Sequence, residues 1–356
     1  MKKLTLLFIL VLDVIVDCGQ VTSLPDDISC DKKYLPEKIQ TIHQYVGDLL
    51  MNVKEFDLSK NMTFSHYKQY VSEKWNGKYL TMITGNVYND SGRVEKSYHL
   101  HSNVGFSIWY YEYDSNGNNT RVYGKSNKGD KHDSLINQNP YRYIEEITGF
   151  NDLISHPEIM ELEKKDEKYL LWDRTYDSAG NKLTELNLSE KSDTIMFIRN
   201  EYDKRKNNVY SKYQLPNGLY WEYYLEYEKD TPFAKDGLVS ESLQDNLLQR
   251  VRVEYDRREK RERVSEIEFI QYDDNDRMVE KTSFNIGKFR DQHINEYNEL
   301  GQISKQIAYV FDADKVAYTK SYLYNQEGNI IKVTNEDFRY GKKEERDFRY
   351  EYAYYP

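Results

Sequence analysis

Few side chains in this chain of 356 residues are spaced for chemistry. His99 and His101 stand two apart in an extended run, so they share one side of a strand, as a two-ligand metal site requires. No third ligand accompanies them, and Leu100 simply continues the strand pattern, so structural histidines are the reading. Acidic pairs such as Glu145-Glu146 and Asp273-Asp274 have acid–base spacing, but among 60 acidic residues such pairs carry no signal for glycosidase chemistry. No nucleophile elbow, phosphate loop, dinucleotide fingerprint or zinc spacing occurs. The expectation is a protein without catalytic residues, metal or cofactor. Binding has better candidates. Trp109, Tyr111 and Tyr113 alternate along one strand face, and Trp221, Tyr223 and Tyr224 form a second aromatic group. Such rows serve cross-strand packing, or form a platform for a protein or glycan partner.

The elements that carry these residues announce themselves by repetition. A tyrosine-led phrase recurs as Tyr88-Asn-Asp-Ser-Gly-Arg, Tyr113-Asp-Ser-Asn-Gly-Asn, Tyr176-Asp-Ser-Ala-Gly-Asn, Tyr297-Asn-Glu-Leu-Gly-Gln and Tyr324-Asn-Gln-Glu-Gly-Asn. Weaker copies begin at Tyr202, Tyr227, Tyr255 and Tyr272. Asp or Asn can bond the turn backbone, and Gly can take positive φ, so each copy reads as strand end, turn and next strand. A recurring unit of this size marks a repeat architecture. The implied fold is mainly β, an antiparallel meander of sequential hairpins in an extended or curved tyrosine-rich sheet.

Two segments depart from this grammar. Ile39, Ile42, Val46, Leu49, Leu50 and Val53 recur at three- and four-residue steps after Pro36, which predicts an amphipathic helix over about 36–55 capping the sheet. Between Tyr113 and Tyr176 a polar loop leads to Ile144, Ile147, Phe150, Leu153 and Ile154, with Pro157 placed to open another helix. An insertion of one or two short helices follows, within about 124–170. The final segment, Phe348–Pro356, reads as a last strand with an open edge where copies could pair.

Composition narrows the functional classes. The chain has 34 Tyr against 13 Phe and 4 Trp, and only 38% apolar residues with tyrosine included, so tyrosine must supply much of the packing. A net charge of −10 argues against nucleic acid as a partner. Met1-Lys2-Lys3 followed by the apolar run Leu4–Leu12 reads as an export signal too short to span a bilayer. Cleavage has two candidate sites. Val16-Asp17-Cys18-Gly19 resembles a lipobox that would lipidate Cys18, and cleavage after Ser23 would release a soluble product from Leu24. Residues 1–23 are thus a leader, 24–60 a linker with the capping helix, and 61–356 the β domain. The product is placed in the periplasm, or at the outer membrane or cell surface if lipidated, touching membrane only through that lipid.

The Tyr-Asp-x-x-Gly-Asn phrase, at Tyr113–Asn118 and Tyr176–Asn181 with variants at Tyr88, Tyr297 and Tyr324, resembles the YD repeat of Rhs-type cell-surface proteins. That resemblance implies a long antiparallel sheet wrapping into a shell. It suggests a short exported YD-repeat protein, since the copies are few and no further domain follows them. The leading functional expectation is a non-enzymatic envelope scaffold that presents aromatic sheet surface to a protein or glycan. The alternatives are a glycan-binding or carbohydrate-active protein with a cleft near the 124–170 insertion, and a toxin-immunity protein.

Overall fold

The computed structural model describes residues 38–46, 48–70, 79–101, 105–126, 147–227, 246–256, 260–285, 288–338 and 344–356. Twenty strands run antiparallel in chain order, from β1 (Ile39–Val46) and β2 (Leu49–Phe56) to β19 (Ile330–Asp337) and β20 (Glu344–Tyr354). β20 pairs with β19 on one side and with β1 on the other, through Ile42↔Tyr352, Gln44↔Tyr350 and Val46↔Phe348. The sheet therefore closes into a barrel. Strands spaced about 4.8 Å apart and tilted about 40° give it a circumference on the order of 120 Å.

Two expectations fall here. Within the region expected to be helical, Ile39–Val46 and Leu49–Phe56 are the strand pair β1–β2, and the helix-like spacing arises because apolar residues face both walls. Ile42 and Phe56 join Tyr322, Val333 and Tyr350 in one cluster, while Val53 joins Phe64 in another. The register shift at Gln44/Tyr45 disturbs the period-two alternation further. The C-terminal strand is not an open edge either, because β1 covers it. The edge that would have paired two copies is used in closing the barrel.

The lead tyrosines other than Tyr255 end even-numbered strands and so sit at one rim, where their phrase builds the turns. In 114–118, the Asp114 carboxylate accepts from the backbone N–H groups of Asn116 and Asn118 at 3.0 and 2.8 Å, and from the Asn118 side chain at 2.9 Å. Gly117 takes φ +89°, and the register slips at Glu112/Tyr113, the mark of a bulge beside the turn. Asp177, Asp203, Asn298 and Asn325 act likewise. Several lead tyrosines reach back to the preceding hairpin: Tyr88 donates to the Met62 carbonyl, Tyr113 to Val94, Tyr202 to Lys182 and Tyr324 to Ile303, and Tyr352 of β20 does the same to Ile330, all at 2.7–3.1 Å. We expect Tyr113→Phe to lower stability by about 1 kcal/mol in a denaturant melt, the usual worth of one such bond.

The register also decides which wall faces inward. Pairs step from Thr41 to Glu55, Phe64, Gly85, Tyr98, Ile108 and Lys125, moving from this rim nearly to the opposite one. For L-residues with right-handed strand twist, that stagger puts Phe64, Ile83, Leu100 and Ile108 on the outer wall and Lys54, Thr84, Ser97 and Trp109 on the inner.

The insertion forms two short helices, α1 (Phe150–Ser155) and α2 (Pro157–Lys164), packed on the outer wall. Leu153, Ile159 and Leu162 are fully buried against Phe64, Ile83, Phe106 and Ile108. Gly85 admits this contact, since a Cβ there would stand 2.7 Å from Leu153 Cδ2.

Candidate functional site

The outer wall is built for water. Lys212 pairs with Glu222 at 2.9 Å, Arg199 with Glu201 at 3.0 Å, Arg121 with Asp173 at 3.3 Å and Lys332 with Asp347 at 2.7 Å. A charge on a lipid-facing barrel surface costs roughly 2–4 kcal/mol at mid-depth. A wall carrying these pairs is not a lipid-facing belt. The described part of the insertion lies flat on this wall through apolar contacts, so residues 147–164 do not border the cleft expected near 124–170; residues 127–146 fall outside the described ones. Cys18 and the leader also fall outside them.

The inner wall collects most of the aromatic candidates. Trp109 and Tyr111 on β6 (Gly105–Tyr113) face inward, as do Trp221 and Tyr223 on β12 (Tyr220–Tyr227). Tyr113 also faces inward, with its hydroxyl held by the rim bond to Val94. Tyr224 faces outward and donates to Glu222 at 2.9 Å. The two groups lie on strands six apart, so they are separate patches on one wall.

Neither patch is a flat platform. Trp221 stacks on Tyr213 of β11 (Asn208–Gln214) with centroids 5.4 Å apart and planes 6° apart, and the Arg252 guanidinium lies 5.4 Å from the Trp221 ring. Arg250 and Arg252 sit 5.2 and 5.8 Å from the Tyr223 ring. Rings and guanidinium groups on neighbouring strands therefore stand side by side, presenting edges and polar tips to the lumen. The other patch behaves similarly. His99 packs on Trp109 at 4.0 Å, and Trp109 meets Trp172 edge-on at 5.0 Å across β7 (Asn119–Ser126). Burial pushes the His99 imidazole down to about 3, so it is neutral at ordinary pH. The side chain of His101 is outside the described ones.

Two buried carboxylates on this wall are each paired with two cations. Glu185 bridges Arg174 at 2.8 Å and Lys182 at 2.9 Å, and Glu268 bridges Arg250 at 2.5 Å and Lys281 at 3.0 Å. Burial acts to raise both carboxyls, but the adjacent cations outweigh it and hold them below the ordinary range. Between the pairs run amide and hydroxyl groups. Asn86, Asn200 and Asn295, two residues before a lead tyrosine, donate to the same carbonyl that tyrosine uses. Their oxygens accept from Ser97, Ser211 and Gln306 on the next strand at 2.7, 2.8 and 3.1 Å. Sequence reasoning passed over this feature, though Asn-x-Tyr-Asp/Asn is visible at Asn86, Asn200 and Asn295.

No family model matches the chain, and no curated protein matches it either. Among solved structures, a porin-like protein from Bacteroides uniformis aligns over 88% of this chain and 98% of its own, at 9% identity and TM-score 0.37. A porin-like protein from Bacteroides vulgatus covers 89% and 98% at 10% identity and TM-score 0.22. The TcdB2-TccC3-Cdc42 complex aligns over 83% of this chain but 19% of its own, at 11% identity and TM-score 0.24. Scores this low carry no functional argument. The YD-repeat resemblance is corrected by the fold: the phrase builds the turns of a closed 20-stranded barrel, not the extended sheet of a shell.

Proposed function

We propose that the protein is an exported, non-enzymatic binding barrel of the cell envelope whose inner wall receives an uncharged glycan chain. The observation that carries this reading is the inner array of Tyr213, Trp221, Tyr223, Arg250 and Arg252. Ring edges, guanidinium groups and carboxylates lie together there, Glu268 paired with Arg250 and Lys281, and Arg252 with Glu254. A polyhydroxyl ligand can both donate to and accept from such a surface without breaking its ion pairs, whereas a charged ligand would have to displace one member of a pair. The wet outer wall fits a barrel bathed in the aqueous envelope, and export rests on the basic and apolar leader Met1–Leu12. Attachment through Cys18 is a separate part of the reading. Unchanged membrane fractionation of Cys18→Ala would remove it.

The test is a panel of neutral and acidic glycans titrated against protein starting at Leu24. Neutral glycans should bind, Trp221→Ala and Arg252→Ala should each weaken them about tenfold, and the outer-wall change Lys212→Ala should leave them unaltered. Absence of glycan binding, or equal loss from inner and outer changes, would refute the proposal.

A further inference from the structure

At the closing seam the inner wall carries a small notch lined by Ile42, Gln44, Asn52, Lys54 and Tyr350. It joins β20, β1 and β2, the strands whose pairing closes the barrel. Asn52 is 6% exposed, and its Oδ1 is buried without a hydrogen-bond partner. An orphaned amide oxygen costs free energy, which makes it a group waiting for a donor. Lys54 is equally buried and brings an ammonium group to the same wall. Gln44 donates to the Tyr350 hydroxyl at 3.1 Å, which fixes that side of the notch. The base admits roughly one water-sized group.

We infer that this notch is a binding site for a hydroxyl of a neutral sugar or polyol. The chemistry selects the class. A hydroxyl donates to Asn52 Oδ1 and accepts from the Lys54 ammonium at once. A carboxylate or phosphate would set lone pairs against the amide oxygen, and a cationic ligand would meet Lys54. The ligand would bridge strands on both sides of the seam, so occupancy and closure would reinforce each other by mass action. The inference rests on the glycan reading of the lumen but concerns a different patch, on β20, β1 and β2, none of which neighbours the β12 strand of Trp221.

The experiment is saturation-transfer NMR of the protein from Leu24 with D-glucose, glycerol and inorganic phosphate as separate probes. Glucose or glycerol should give a saturable signal, weakened about tenfold by Asn52→Leu and retained by Asn52→Asp, which keeps an acceptor oxygen. Retention by Asn52→Asp also shows that the site tolerates substitution without unfolding. Trp221→Ala should not alter this signal. That separates the notch from the glycan wall: glycan binding insensitive to Asn52→Leu overturns the notch alone. A saturable signal from phosphate only, no signal from any probe, or equal signals from wild type and Asn52→Leu would each overturn it as well.

Discussion

Ending the chain at residue 338, without β20, should abolish the cooperative thermal transition rather than trim it. In an open repeat sheet the last strand meets one neighbour, and its loss removes one interface. Here β20 meets both β19 and β1, so its removal also uncovers β1. Tyr350 is buried in the seam cluster, and Phe348 and Tyr352 pack against it. Burying such side chains contributes roughly 1.5–3 kcal/mol each, and a domain's whole margin is about 5–15 kcal/mol. Two exposed strand edges would add an aggregation route. Circular dichroism melts and size-exclusion chromatography read the outcome; a sharp melt within a few degrees of the full chain, from a monomer, would mean that the seam contributes little.

The second large effect should come from Glu185→Leu. Arg174 and Glu185 are both nearly buried, with side chains 9% and 6% exposed, so the variant strands a guanidinium without its carboxylate. Removing one member of a buried pair costs about 3–5 kcal/mol, whereas replacing both with apolar residues is often close to neutral. The double change Arg174→Met with Glu185→Leu should therefore recover most of the loss. The pH dependence has a defined sign. Because Glu185 and Glu268 are held below their ordinary range in the folded state, their contribution is complete above the unfolded carboxyl value near 4.3 and is lost as pH falls through the folded values. Glu185→Leu should flatten the acid limb of the stability curve. A limb unchanged by the substitution would assign acid sensitivity elsewhere.

Much of the strand grammar was legible in residues. Tyr113-Asp-Ser-Asn-Gly-Asn states strand end, turn acceptor and left-handed glycine in six letters, and the turn at 114–118 follows it atom by atom. Pro157 and the apolar spacing around Leu153 marked the two helices for similarly local reasons. Closure was not legible, because pairing of Ile42 with Tyr352 joins residues more than 300 positions apart and leaves no local mark. The β1–β2 segment misled because strands with apolar residues on both walls lose their period-two signal, and three- and four-residue steps remain. Alternation correctly put Trp109 with Tyr111 on one face. It could not show that the faces of Trp221 would be taken up by Tyr213 and Arg252, since that depends on which strands become neighbours.

Closure of the barrel underlies both the lumen and the notch, and one cross-link tests it directly. With Cys18 and Cys30 replaced by Ser, the paired outer-wall positions His43 and Glu351 are changed to Cys and treated with dibromobimane, a short fluorescent thiol bridge. Paired strands hold such positions about 5.5 Å apart. Closure predicts a fluorescent, internally bridged monomer in high yield, with the 43–351 link found by peptide mass spectrometry. Bridging only between molecules, or no bridge while both thiols label singly, would show that β1 and β20 do not meet.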